Sequence, residues 1–185
     1  MASDQTTARI LHDVGAAAWF GGSLMGAVGL HGASGALSSS EDRVRVADVG
    51  WKAWQPWKLA AILAHVVGSI ALLWGNKGRL TTQRGAMAVN VAKTGVFAAA
   101  LGADVYAAVL GRRIGDDQPV PVDSAVEPAA ETPEGPAATQ RQLQVVQWVV
   151  PVLTGLNIAL ASKMGEQQRP TNLVSGLVER FDPRR

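Results

Sequence analysis

Three stretches of this 185-residue chain contain no Asp, Glu, Lys or Arg: residues 14–40 (27 residues), 59–76 (18) and 142–162 (21). A hydrocarbon core about 30 Å thick is crossed by about 20 helical residues at about 1.5 Å each. Soluble domains spread charge over about a quarter of their residues, whereas here 17% are charged. Three neutral runs of this length are hard to house in a soluble fold of this size. The mean hydropathy is only +0.12 because much of the apolar content is Ala and Gly.

The runs predict an all-α polytopic membrane protein with four transmembrane helices in an up-down bundle. The expected spans are 8–32, 57–76, 84–111 and 143–163. The third is interrupted by Lys93 and Asp104, and the fourth contains Pro151, which membrane helices tolerate. Residues 1–113 thus form a three-span region and 141–164 the fourth span. Between the first two spans, Ser38 and Glu41 fit a capping box. Val44, Ala47, Trp51 and Trp54 then share one helical stripe. This predicts an interfacial amphipathic helix near 41–55, with Pro56 opening the next helix. Residues 114–140 carry five prolines, six acids and no base, the composition of a solvated, flexible linker. In the tail, 165–185, Leu173, Val174, Leu177, Val178 and Phe181 form a second surface-lying face.

Arg9 and the small residues 34–36 loosely resemble a secretion signal and its cleavage site. The neutral run exceeds a usual signal core, which favours a retained span. The short basic loop "NKGRLTTQR" (76–84) puts both termini in the cytoplasm, with Arg112 and Arg113 pointing the other way. The expected home is the plasma (inner) membrane.

Absence of cysteine removes disulfides and thiolate chemistry. The basic residues are scattered, so no nucleic-acid footprint exists. Trp51, Trp54 and Trp57 climb towards the start of a neutral run, and Trp74 stands at its far end. That order suits interfacial anchors, with indole N–H groups wet and rings buried; a ligand platform is the alternative.

Ionisable groups inside a membrane are costly and therefore functional candidates. On the third helix Asn90, Lys93 and Asp104 share a face, but Lys93 and Asp104 stand about 16 Å apart along it. Counting depth from the expected span ends pairs His65 with Asp104. It pairs Lys93 with Asp13, assisted by Asn90 and Asn157. Such a network serves either to hold the bundle together or to carry protons or ions, unless the third span is false. The same count sets His65 far in depth from both His12 and His31, against a bis-histidine haem site; no cofactor or metal is expected. No HExxH, P-loop, GxGxxG or GxSxG pattern occurs. Gly22 and Gly26, four residues apart, offer a close-packing face to a neighbouring helix.

The stretch "LHDVGAAAWFGGSLMG" (11–26) resembles the first span of small bacterial membrane families in which His precedes an Ala-rich turn and Trp-Phe-Gly-Gly. With the Ala, Gly, Val and Arg bias, it resembles a family of small four-span actinobacterial proteins; the resemblance implies no catalytic residue. The expected function is a non-enzymatic accessory or scaffold component in the lipid bilayer, binding other membrane proteins or itself. The alternative is a small transporter or proton-conducting protein using Lys93, Asp104 and His65. A third reading, a soluble protein with Ala-rich core helices, is answered by fractionation.

Overall fold

The computed structural model describes residues 2–75 and 86–166. Helix α1 (Ala2–Met25) continues through a π-helical turn (Gly26–Leu30) into a short helix α2 (His31–Gly35). Then come α3 (Ser40–Gly75), α4 (Ala86–Asp116) and α5 (Glu134–Glu166). The loop 76–84 and the amphipathic tail beyond 166 lie outside the described residues.

The fold is all-α, as the neutral runs predict. Three helical segments are long and apolar enough to cross a membrane: Ser40–Gly75, Met87–Asp116 and Glu134–Lys163. The first helix is shorter and more polar, carrying Arg9 and Asp13, and it does not meet the same measure.

The expected break between an interfacial helix and the second span does not exist. Residues 40–75 form one helix through Pro56, about 54 Å long. Pro56 is exposed, so its ring and missing N–H fall on the outer face, where the ladder tolerates them best. The inward face explains the continuity. Val44, Ala47, Trp51, Trp54, Lys58, Ala61, His65 and Gly68 recur at alternating spacings of three and four, and all are buried or half-buried. That is a single heptad seam. The N-terminus is capped one residue later than expected: Ser39 Oγ accepts from the Asp42 N–H at 3.1 Å and donates to its carboxylate at 2.8 Å.

Helices α1 and α3 form an antiparallel hairpin whose backbones nearly touch. A Cβ at Gly15 would strike the backbone of Ala61 and His65, and one at Gly68 the backbone of Ala8 and His12. Gly22 and Gly26 receive the indole rings of Trp54 and Trp51. Small residues on one helix thus take either backbone or a large ring from the other. Helices α4 and α5 form a second antiparallel hairpin, and it docks on the first mainly through α1 and α5. By contrast, α3 and α4 touch sparsely.

The acidic, proline-rich segment also departs from expectation. Val122, Ser124, Ala125 and Val126 are buried, packing with Val44, Leu110, Ile114 and Leu143 at one end of the bundle. The Arg43 guanidinium donates to Val122 O at 2.6 Å. Ser34 Oγ accepts from Ala125 N at 3.0 Å, and Gln140 Nε2 donates to Ser124 O at 3.2 Å. Alternating small apolar residues between the prolines supply the buried side. The acids Asp123, Glu127 and Glu131 remain exposed. Composition reported the solvent face of a lid and concealed its inner face.

Candidate functional site

Two polar levels lie inside the bundle, separated by an apolar layer. The lower level sits on the α1–α3 seam where it meets α4 and α5. His12 Nδ1 donates to Asp13 Oδ1 at 2.6 Å, while its Nε2 accepts from the Lys93 ammonium. His65 Nδ1 donates to His12 O at 2.9 Å, so its Nε2 accepts from Asn157 Nδ2 at 3.2 Å. The hydrogen bonds therefore set one tautomer for each ring. The two imidazoles lie 4.3 Å apart between centroids, and His65 is 5.4 Å from Phe97. His12, His65 and Asn157 are buried, whereas the Asp13 side chain is 58% exposed.

The upper level is an ion pair between Lys58 Nζ and Asp104 Oδ2 at 2.7 Å, with side chains only 7% and 16% exposed. Above it, His31 Nδ1 donates to Gln147 Oε1 at 2.5 Å, and the Trp51 indole N–H donates to His31 Nε2 at 2.9 Å. Both groups line a cavity of about 200 Å3 bounded mainly by α3, α4 and α5, with Ser23 of α1, His31 of α2 and Ala125 of the lid segment reaching it as well. Between the levels Trp19, Ala61, Ala100 and Val150 close the interior, with Phe97 set edge-on to Trp19 at 5.8 Å.

The sequence-predicted residues are brought together, but in different pairs. Asp104 meets Lys58, not His65. Lys93 meets His12, and Asp13 reaches the network through that same imidazole. Asn157 joins as expected, while Asn90 is half-buried and its backbone carbonyl accepts from Thr94 Oγ1 at 2.9 Å, its side chain making no hydrogen bond among the described residues. The depth count failed because it began α3 at residue 57. With α3 starting at Ser40, His65 shares a level with Lys93 and with His12, and Asp104 stands about 16 Å higher. The histidines are accordingly neighbours, contrary to the depth estimate. Rings in direct contact leave no space for a macrocycle between them.

Lys58 and His12 belong to these two levels although sequence reasoning left Lys58 unassigned and weighed His12 only as a haem ligand. Both were signalled. Lys58 continues the stripe of Trp51 and Trp54, and His12 lies four and three residues from the small positions Ala8 and Gly15. The tryptophans divide. Trp51 and Trp54 turn inward onto glycine, while Trp57 and Trp74 are 68% and 77% exposed, about 25 Å apart along α3. That separation approaches the thickness of a hydrocarbon core, and His65 stands near its midpoint.

No protein-family model, curated protein or solved structure matches this chain.

Proposed function

We propose that this is a four-span plasma-membrane protein that conducts protons or carries a small solute with them, using Lys93, His65 and Asp104. One observation carries the reading: an ionisable cluster of His12, His65 and Lys93 lies midway between two exposed tryptophans. A merely adhesive bundle has no need of such costly groups at that depth. The first helix serves as the fourth span in this reading. Ile10, Leu11, Val14 and Met25 on it and Val28 on the π-helical turn that continues it are exposed, an apolar outer face about 27 Å long. The basic loop 76–84 puts both termini in the cytoplasm.

The cluster supports a relay. A proton passes from the Lys93 ammonium to His12 Nε2 as the Nδ1 proton moves to the Asp13 carboxylate. Lysine, imidazole and carboxyl then all end neutral, and the cluster's net charge is zero before and after. Trp19 and Phe97 separate this level from Asp104, so passage between the two requires their rings to move. No reaction motif competes with this reading, which is non-enzymatic.

Proteoliposomes loaded with a pH-sensitive dye test it. Wild-type protein should collapse an imposed proton gradient, Lys93→Met should reduce the rate to that of empty vesicles, and Asn90→Ala should leave it unchanged. Wild-type flux equal to that of empty vesicles, with and without candidate solutes, would remove the transport reading.

A scaffold role keeps one specific support. Gly95, Ala99 and Gly102 form an exposed small-residue face on α4, and a Cβ at either glycine would meet nothing within 4 Å. Such faces pack helices in membranes. Gly22 and Gly26, by contrast, are already filled from within. Cross-linking through cysteines placed at Ala99 would register self-association, and Gly102→Leu should abolish it.

A further inference from the structure

We propose that the cavity between α3, α4 and α5 binds a small organic carboxylate with an apolar body. The inference deepens the transport reading by naming its substrate class.

The floor supplies the first argument. Lys58 is buried and has Asp104 as its one described partner. An ammonium has three donors, so a buried one with a single partner is left undersatisfied unless an acceptor is bound. That ammonium lies on the wall of a cavity, where an acceptor can reach it. The mouth supplies the second. Lys52 is held by Asp48 at 2.7 Å, but Arg112, which also lines the cavity, has no ion-pair partner among the described residues. Three cations (Lys52, Lys58, Arg112) face two carboxylates (Asp48, Asp104), leaving one positive charge. A monoanion neutralises it. A phosphate dianion would bring an unpaired negative charge into a chamber of low polarity, which is costly.

The walls supply the third. Val44, Ala107, Ala108, Ile114, Leu143 and Val150 make most of the remaining surface apolar, with Ser23, His31, Gln55 and Gln147 as its polar points. At about 200 Å3 the space lies below the range of about 300 Å3 and more that takes drug-sized ligands. It fits an aromatic or short aliphatic acid. Sparse contact between α3 and α4 leaves a seam through which an acid could arrive from water or from the bilayer, so the carboxylate has two possible sources.

Equilibrium binding of radiolabelled benzoate to the full chain in nanodiscs tests the site without any gradient, and octanoate, which partitions into the bilayer, tests the bilayer source in the same assay. Saturable benzoate binding at millimolar concentrations or below is expected, weakened about tenfold by Arg112→Gln and abolished by Ala108→Phe, which fills the chamber without touching a charge. Displacement of benzoate by octanoate would support the same site with a bilayer source. Absence of saturable binding of both acids, or benzoate binding unaltered in Ala108→Phe, would overturn the proposal. Binding without any flux in vesicles would remove transport and leave the site. Proton flux without binding would do the reverse.

Discussion

The two polar levels contain the same chemistry, a lysine and a carboxylate inside an apolar bundle, yet they are built in opposite ways. At the lower level His12 stands between Lys93 and Asp13, His65 is held by the His12 carbonyl and Asn157, and the α1–α3 backbones are pressed together around them. At the upper level Lys58 and Asp104 meet directly, beside an open chamber under a loop lid. A buried charge must find a partner or a polar network, and its desolvation cost is what makes the pairing firm. The difference teaches that close helix packing and ligand space exclude each other here. Where glycine seams draw α1 and α3 together, the ionisable side chains bond to one another. Where α3 and α4 part, an ion pair borders open space.

The sharpest way to break this contrast is at the upper pair. Asp104→Ala leaves Lys58 as an unpaired buried cation and should cost about 3–5 kcal/mol. The double variant Lys58→Met/Asp104→Ala should recover most of that, measured by unfolding in detergent. No recovery would mean that the two charges are not coupled.

Next comes the seam itself. Gly15→Ala drives a methyl into the α3 backbone, which cannot yield as a side chain can, and should cost about 3 kcal/mol, at the top of the overpacking range. The equivalent change at Gly102, in open space on α4, should be within about 0.5 kcal/mol in monomeric protein. Equal effects at the two glycines would remove the distinction between a packed and a free helix face.

Lys93→Met should cost less stability, about 1–3 kcal/mol for an unsatisfied buried acceptor on His12, while removing proton flux. Loss of flux far beyond loss of fold separates a conducting group from a structural one. The smallest expected effect is at the lid. Ser34→Ala removes the acceptor for Ala125 N and should cost about 1 kcal/mol. Its signature is faster proteolysis within 117–133 without change in the lower network. Unaltered proteolysis would mean that this hydrogen bond does not hold the lid.

Much of the contrast was already written in residue order, though not always where it was sought. The stripe of Val44, Ala47, Trp51 and Trp54 is visible by eye, and it runs on unbroken through Lys58, Ala61, His65 and Gly68. Reading Pro56 as a helix start cut it in two, and that single cut moved every depth by enough to exchange the ion-pair partners. The lid was misread for a different reason. Prolines and acids are counted per segment, whereas burial is decided residue by residue. Val122, Ala125 and Val126 find apolar partners only because α3, α4 and α5 end beside them.

Sequence alone determined the helical class, the lengths of the apolar runs and part of the inward polar set, His65 and Asn157 among it, because oil penalises unpartnered charge and polarity. Which lysine meets which carboxylate, which tryptophans face lipid, and whether a loop becomes a lid were decided only in the tertiary structure. Those outcomes depend on relative depth and rotation between helices distant in the chain. A shift of one helical turn, about 5.4 Å, is enough to trade one partner for another.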